Sequence, residues 1–254
     1  MVNRIVLIPV FNEAKTIKSS IEFLCDFFNK FDSELEIYCI DDGSHDGSFE
    51  IMQELHFSNL KVFKMPKNVG YGGAVRHGLQ LAGANGVQNA VIMDSDLTNP
   101  PAEAIKILDA LHDFDFVKAS RFLIGSDMTA VPLKRRIYSI AGNTILRILF
   151  KSEIKDITNG FRGWRVKEYL KLPPTSNGFY SIVEEFYWSK KFSIKTSEVP
   201  SILGTREMNQ RDTSASYSLR TIWNYFRPGF IFFVSNLFSD RFALRFEKNL
   251  LKNE

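Results

Sequence analysis

Cysteine is scarce in this chain of 254 residues, and its sequence has no uncharged run of the ~20 residues that a membrane-spanning helix needs. Cys25 and Cys39 each fall in an apolar stretch, so we expect two buried thiols in a reducing compartment and no disulfide framework. The longest uncharged run near the C-terminus, residues 228–239, is shorter than the ~20 residues that a membrane-spanning helix needs. A strand pattern starts at residue 4 with no signal-peptide pattern before it, and we therefore expect no secretory signal.

Glycine and proline number only 15 and 9, too few for a collagen-like or low-complexity chain, and an apolar share of 44% excludes disorder. Acidic residues are fewer than basic ones only in the second half of the chain. Residues 1–117 contain 9 Lys and Arg against 17 Asp and Glu, a net charge of −8, whereas residues 118–254 contain 23 against 12, a net charge of +11. Unless both halves are ordinary solvated surfaces, the first suits a divalent cation and the second suits phosphate or an anionic membrane. Nucleic acid is not an expected partner.

Strand and helix patterns alternate along the first 122 residues. Continuous apolar runs indicate strands buried on both faces, and apolar residues three or four positions apart indicate helices. This order predicts an α/β fold with a mostly parallel sheet and helices on both faces. The alternation of strand and helix patterns becomes less regular after residue 122. We therefore expect the second half to bind an acceptor substrate and not to form another nucleotide-binding unit. The predicted strands are 4–10, 35–40, 60–65, 90–93 and 114–120, and the predicted helices are 16–28, 48–55, 73–82 and 100–112.

Polar residues follow four of the predicted strands where each ends, and ligands bind at such ends in sheets of this kind. The most informative string is Asp94-Ser95-Asp96. Two carboxylates so spaced can reach one Mg²⁺ or Mn²⁺ that is shared with substrate phosphates, although an Asx turn is the alternative. Asp42, in a turn that Gly43 permits, could accept hydrogen bonds from a base edge. Residues 68–74 are glycine-rich like a phosphate-binding loop, but they lack the Lys-Ser/Thr of a P-loop.

Taken in order, these strings resemble the motifs of the inverting family 2 glycosyltransferases. They comprise residues 9–13, 41–48, 68–74 and 94–97. Their continuation is similar to the dolichol-phosphate mannose synthase-like branch, through residues 96–101, 120–122 and 156–162. The resemblance implies a GT-A fold over residues 1–217, with a metal and nucleotide-sugar half at 1–121 and an acceptor half at 122–217. It also implies Mg²⁺ or Mn²⁺, a nucleotide-sugar donor and a polyprenyl phosphate acceptor.

The resemblance implies roles for individual residues. The substrate-binding positions are Pro9, Asn12, Glu13, Asp42, Asn68, Gly70, Arg135, Ser139 and Arg162. Among these, Pro9, Glu13 and Asp42 fall where the family contacts the nucleoside, while Arg135 and Ser139 join Arg121 at the acceptor phosphate. The metal ligands are Asp94, Asp96 and Thr98. The catalytic positions are Asp94, Asp96, Arg121, Glu184 and Arg211, the last in a closing segment where Ser214 and Tyr217 replace the family's Gly and Lys.

Residues 218–254 form an aromatic and basic tail, with seven Phe between residues 222 and 246. An amphipathic helical tail of this kind can lie in a membrane interface, so we expect a peripheral enzyme on the inner, cytoplasmic membrane face. A helical pair packed on the domain, or an oligomer contact, is the alternative. Two other functions stay open: transfer to a sugar or protein-linked hydroxyl with Glu184 or Glu185 as base, and a degenerate GT-A module that binds without catalysis.

Overall fold

A computed structural model describes residues 3–32, 34–204 and 219–237 of the chain. Within these residues seven strands and eight helices alternate. The strands are β1 (Arg4–Val10), β2 (Glu36–Asp41), β3 (Leu60–Lys64), β4 (Asn89–Ile92), β5 (Phe116–Ser120), β6 (Arg162–Arg165) and β7 (Thr196–Pro200). The helices are α1 (Ile17–Phe31), α2 (Ser48–Gln53), α3 (Tyr71–Ala84), α4 (Pro101–Ala110), α5 (Leu133–Phe150), α6 (Val166–Tyr169), α7 (Ser181–Lys191) and α8 (Leu219–Leu237).

All seven strands form one sheet in the order β3-β2-β1-β4-β6-β5-β7. Every neighbouring pair is parallel except those of β6, which runs antiparallel to both β4 and β5. The predicted mostly parallel sheet is therefore confirmed, and β6 and β7 from the second half of the chain belong to it. Because β4 and β5 both oppose β6, their carboxyl ends lie at the same edge of the sheet.

The sheet separates two hydrophobic cores, since successive strand side chains point to opposite faces. Ile5 and Leu7 of β1 face one core with side chains of α3, α5 and α7, and Val6 and Ile8 face the other with side chains of α1, α2 and α4. The predicted helices on both faces are thus present. Cys25 and Cys39 are buried free thiols as expected, and burial raises the pKa of Cys25 to about 12.

The described part of the predicted tail is α8, which packs on the domain. Ile231 of this helix is buried, and the Phe232 ring lies 5.4 Å from that of Phe150 at the end of α5. A Cβ on Gly229 would lie 3.2 Å from Leu149, so α8 and α5 approach closely. None of the helices in the described ranges combines the length and the hydrophobicity that crossing a membrane requires.

Candidate active site

The loops that follow β1 and β2 are locked together at the carboxyl edge of the sheet. The backbone N–H of Asn12 donates to Oγ of Ser44 at 2.9 Å, and that of Glu13 donates to Oγ of Ser48 at 2.7 Å. Asn12 adopts a left-handed conformation with φ 55°, which asparagine tolerates better than most residues. Asn12 and Glu13 are therefore held in fixed positions beside Pro9, which is half-buried at the end of β1.

Asp42 connects the loop after β2 to the glycine-rich start of α3. Its two carboxylate oxygens accept the backbone N–H groups of Val69 and Gly70, each at 2.8 Å. Burial raises the pKa of this carboxyl, and the two backbone hydrogen bonds oppose the rise. Sequence reasoning assigned Asp42 to the nucleoside. The described contacts make it a clamp on the loop that includes Asn68, and the nucleoside contact stays a prediction.

Gly43 is required where this turn meets the loop. With φ +70°, a Cβ at residue 43 would lie 2.6 Å from the backbone nitrogen of Asn68, whereas Gly86 has φ +75° and nothing within 4 Å of its Cβ position. We expect Gly43→Ala to lower the free energy of unfolding by clearly more than Gly86→Ala, whose cost is the left-handed strain of about 1–2 kcal/mol alone. Urea denaturation of both variants measures the difference, and equal losses would refute the steric argument.

Asp94 and Asp96 lie in the turn after β4, and both are half-buried. The Thr98 hydroxyl donates to Oδ1 of Asp96 at 2.7 Å, and the Thr98 backbone N–H donates to the same oxygen at 3.1 Å. Leu97 between them has φ 55°, a conformation that is unusual for a branched apolar side chain and that bends the chain here. Thr98, predicted as a third metal ligand, orients the Asp96 carboxylate in this structure, and its contact with a metal stays a prediction.

The donor set at this turn fits a hard divalent cation. Within residues 3–32, 34–204 and 219–237, no group of three or more His, Cys, Asp or Glu side chains is arranged to hold a metal. Mg²⁺ commonly uses one or two carboxylates and takes its other oxygens from water and substrate phosphates. Asp94 and Asp96 supply that number of carboxylates, and the two Thr98 hydrogen bonds fix the orientation of one of them.

Arg121 follows β5 and is held by three acceptors. Its Nε and Nη2 donate to the two oxygens of Asp156 at 2.6 and 2.7 Å, and Nη2 also donates to Oγ1 of Thr158 at 2.9 Å. Asp156 is fully buried, and its backbone N–H donates to Glu198 on β7 at 2.8 Å. This bidentate pairing positions the guanidinium group. Burial acts to lower the pKa of Arg121, but the charge and hydrogen bonds of Asp156 outweigh it and raise that pKa.

Ser201 joins the carboxylate turn to the Arg121 turn. Its backbone N–H donates to the carbonyl of Ser120 at 2.9 Å, and its Oγ accepts from Nδ2 of Asn99 at 3.2 Å. Three residues on, the Gly204 N–H donates to the carbonyl of Thr98 at 2.8 Å. The acidic pair after β4 and the arginine after β5 are therefore fixed relative to one another by a single segment of chain.

Arg162 lies in the core and differs in this from the predicted substrate contact. It is 0% exposed and forms a bidentate pair with Glu185, with both nitrogen–oxygen distances at 2.6 Å. Its Nη1 donates to the hydroxyl of Tyr71 at 3.0 Å, and Glu185 raises the pKa of Arg162 despite burial. Tyr71 is the first residue of α3, so this hydrogen bond connects Arg162 with the glycine-rich start of that helix.

Glu184, predicted as a catalytic residue, is directed to a neighbouring loop. Its Oε2 accepts both the backbone N–H and the hydroxyl of Ser176 at 2.6 Å. The same loop packs on the start of α3, where the Gly72 N–H donates to the carbonyl of Asn177 at 2.7 Å, and Gly70 leaves no room for a side chain against that carbonyl. Glu184 thus supports the loop that covers the glycine-rich turn.

Three further predicted residues lie on α5 or in the loop before α3. Arg135 is exposed on α5, and Ser139 lies one turn further along the same helix with its hydroxyl oxygen buried. Asn68 is exposed in the loop before α3. Arg211 lies outside the described residues, as do Ser214 and Tyr217 of the predicted closing segment.

Lys118 on β5 is a fully buried lysine that sequence reasoning did not identify. Its Nζ donates to the carbonyl of Asn159 at 2.9 Å, so it supports the loop that contains Asp156. Burial and the neighbouring Arg162 together lower the pKa of Lys118 to about 7, against the opposing effect of Asp156, Glu185 and Glu198.

This low pKa predicts a pH-dependent stability. In the unfolded chain a lysine titrates near 10.5, so between pH 7 and about 10.5 the unfolded state binds a proton that the folded state lacks. The free energy of unfolding then rises with pH in that window by up to about 1.4 kcal/mol per unit, relative to Lys118→Met. Urea denaturation of both proteins from pH 6 to about pH 9.5 tests this, and parallel curves would contradict it.

The residues that sequence reasoning missed are partners of predicted ones. Asp156 and Thr158 lie within residues 156–162, which the resemblance singled out without giving either a role. Glu185 was considered only as a base for a hydroxyl acceptor, and no sequence signal indicated its pairing with Arg162, which is 23 residues away. Long-range pairs of this kind leave no local pattern, because neither helical nor strand periodicity reports on them.

Comparison with known proteins supplies the family. A sequence model described as "Glycosyl transferase family 2" matches residues 5–171. A Pyrococcus furiosus protein named dolichol-phosphate mannosyltransferase is 29% identical over 87% of this chain, and the match spans 61% of that protein, less than two thirds of its length. A Mycolicibacterium smegmatis protein named polyprenol monophosphomannose synthase is 28% identical over 84% of this chain and 81% of its own.

A solved structure supplies the fold. Glucosyl-3-phosphoglycerate synthase from Mycobacterium tuberculosis, in complex with Mn²⁺, UDP and phosphoglyceric acid, superposes with a TM-score of 0.65. The two chains are 18% identical, and the superposition covers 89% of this chain and 78% of the other. The likeness confirms the predicted GT-A type of fold.

Proposed function

Since the chain belongs to the family 2 glycosyltransferases, as its motifs predicted, we propose that it transfers a sugar from a nucleotide-sugar to the phosphate of a polyprenyl lipid. The names of two relatives support the lipid phosphate as acceptor. The observation on which the proposal rests is the joint fixing of Asp94, Asp96 and Arg121 through Ser201. An acidic pair suits a metal-bound diphosphate, and a fixed arginine suits a second phosphate.

In the proposed reaction, an oxygen of the lipid phosphate attacks the anomeric carbon of the sugar. The bond from that carbon to the diphosphate oxygen breaks, and the nucleoside diphosphate leaves with the electron pair, so the configuration inverts. Asp94 and Asp96 would hold Mg²⁺ or Mn²⁺, which when bound neutralises charge on the diphosphate. Arg121 binds and orients the acceptor phosphate, with Arg135 and Ser139 as its proposed companions.

A phosphate acceptor is already anionic and needs no strong base. The described contacts of the two candidate bases agree with this. Glu185 is committed to a buried pair with Arg162, and Glu184 accepts two hydrogen bonds from Ser176. A hydroxyl acceptor would require one of these carboxylates to abstract a proton. The proposal therefore favours the lipid phosphate over a sugar or protein-linked hydroxyl.

The proposal also assigns a role to each part of the chain. Residues 1–217 form the catalytic unit, with donor and metal on the first half and acceptor on the second. Residues 218–254 associate with the inner, cytoplasmic face of the membrane, because a polyprenyl chain stays in the bilayer and the active site must reach it. Clustered aromatic and basic residues in the tail support this assignment.

The test incubates the purified protein with a panel of nucleotide-sugars, Mg²⁺ or Mn²⁺, and undecaprenyl phosphate, and analyses the lipid-linked product. Arg135→Ala should raise the KM for lipid phosphate about tenfold or more, because a charge-assisted contact contributes about 1.5–3 kcal/mol, and should leave the KM for the nucleotide-sugar unchanged. Lys30→Ala, an exposed change on α1, is the control. No lipid-linked sugar from any donor would refute the function, and equal effects on both KM values would refute the role of Arg135.

A further inference from the structure

The loop between α5 and β6 is held in place by two side chains from other elements. Residues 155–158 of this loop belong to no helix or strand, so their backbone N–H groups need other acceptors. The two carboxylate oxygens of Glu198 on β7 accept the first two of these groups at 2.7 and 2.8 Å. Oδ1 of Asn143 on α5 accepts the other two at 2.8 and 3.2 Å. Four consecutive N–H groups therefore depend on these two side chains.

The amide of Asn143 uses its full hydrogen-bonding capacity. The side chain is only 2% exposed, and its oxygen accepts the two backbone N–H groups of the loop. Its Nδ2 donates to the carbonyl of Ser139, one turn earlier on α5, at 3.0 Å and to Oγ1 of Thr158 at 2.9 Å. An amide offers two donors and an oxygen with two lone pairs, so all four are engaged. Asn143 thus makes three hydrogen bonds to the loop and one to its own helix.

Residues with a proposed role at the acceptor phosphate lie on both sides of this junction. Arg135 and Ser139 precede Asn143 on α5 at intervals of four residues, and the row passes from the exposed Arg135 to the buried Asn143. On the loop side, Oγ1 of Thr158 accepts a second hydrogen bond, from Nη2 of Arg121 at 2.9 Å. A single hydroxyl oxygen therefore connects Arg121 with Asn143.

The shared hydroxyl fixes more than a distance. A hydroxyl oxygen has two lone pairs, and in Thr158 these accept from Arg121 and Asn143. Both donors together set the rotation of the hydroxyl group and the position of Thr158 below the guanidinium. Without Asn143, the hydroxyl could rotate and two buried N–H groups of the loop would lose their acceptor, so the loop that holds Arg121 should shift.

We infer that Asn143 is a positioning residue for the acceptor phosphate, which keeps Arg121 aligned with Arg135 and Ser139; this inference rests on the proposed function. Functional side chains depend on such supporting hydrogen bonds for their geometry. The four hydrogen bonds of Asn143 run to α5 and to the loop, whereas Asp96 on the donor side is oriented by Thr98. Loss of Asn143 should therefore weaken acceptor binding and spare donor binding.

The test compares Asn143→Leu, which is similar in size and removes all four hydrogen bonds, with Asn59→Leu in the full-length protein. Asn59 is the matched control because it is 4% exposed and its Nδ2 donates to the carbonyl of Cys25 on α1 at 3.3 Å, outside the proposed acceptor half. Asn143→Leu should raise the KM for undecaprenyl phosphate about tenfold or more and leave the KM for the nucleotide-sugar unchanged. Asn59→Leu should change neither KM, although it also removes a buried amide.

Variants of Thr158 provide a second readout. Thr158→Val removes the shared hydroxyl and should also raise the KM for the lipid phosphate selectively, whereas Thr158→Ser keeps the hydroxyl and should recover most of that loss. Because both positions act through one contact, Asn143→Leu/Thr158→Val should lose less than the product of the two single losses. Circular dichroism reports folding. If Asn143→Leu does not fold, the milder Asn143→Ser and Thr158→Val decide the question.

Calorimetric titration with geranyl phosphate, a short prenyl phosphate, separates this inference from the proposed function. Folded Asn143 variants that change both KM values equally, or that bind geranyl phosphate as the native protein does, would overturn the inference and leave the function intact. A native protein that binds geranyl phosphate but transfers no sugar would refute the function, and a tenfold loss of that binding in Asn143→Leu would still support the positioning role. A native protein that neither binds the prenyl phosphate nor transfers sugar would refute both.

Discussion

Asp96→Asn is expected to lower the rate of sugar transfer by on the order of 10³-fold or more while leaving the fold intact. A bound divalent cation contributes several kcal/mol of charge stabilisation to the departing diphosphate, and each 1.36 kcal/mol is a factor of ten in rate. An amide is a weaker ligand than a carboxylate and has no charge. Since Thr98 donates two hydrogen bonds to Oδ1 of Asp96, the substituted side chain should keep its position and lose its charge.

Steady-state transfer assays across a titration of Mg²⁺ and Mn²⁺ measure this effect. Asp113→Asn removes one charge from an exposed site at the opposite end of the sheet, before β5, and should leave the rate unchanged. Isothermal titration of nucleoside diphosphate should show metal-dependent binding that Asp96→Asn weakens. Turnover that persists in excess EDTA would contradict the assignment of the acidic pair.

The first five strands were predictable because each has apolar residues between polar ends. Most residues of β1, β2, β4 and β5 are buried, whereas β3 is partly exposed. β1 was predicted at residues 4–10 and is observed as Arg4–Val10, and the other four differ by one or two residues at an end. β6 has only the sequence Arg-Gly-Trp-Arg, in which no apolar run exists, and Arg162 becomes buried because Glu185 on α7 neutralises it. No pattern within four residues could indicate that arrangement.

The position of the candidate site was predictable for a related reason. Polar residues that follow parallel strands lie together at the carboxyl edge of the sheet, independently of the local contacts of their side chains. The partner of each side chain was not predictable, because contacts such as Asp42 with Val69 and Arg121 with Asp156 join loops that are 27 and 35 residues apart. Sequence motifs therefore indicated which residues gather there, and the structure indicates which of them position the others.

Glu185→Gln is expected to destabilise the protein by about 3–5 kcal/mol, because it leaves the guanidinium of Arg162 buried without its counter-ion. Both side chains are at most 1% exposed, so water cannot replace the lost charge. The indole N–H of Trp164 also donates to Glu185 at 3.1 Å and would lose an anionic acceptor. The free energy of unfolding from urea titrations reports the change, and Glu50→Gln, at a solvent-exposed pair with Lys64, should have little effect.

A double variant separates the effect of the Arg162–Glu185 ion pair from the effect of the other contacts of Arg162. Replacing both partners with apolar side chains, as Arg162→Met/Glu185→Leu, removes the uncompensated charge, so the double variant should be more stable than Glu185→Gln alone. It would not recover fully, because the carbonyl of Gly160 and the hydroxyl of Tyr71 each lose a hydrogen bond from Arg162. A double variant that is less stable than Glu185→Gln would show that Arg162 stabilises the core by its own contacts and not by pairing with Glu185.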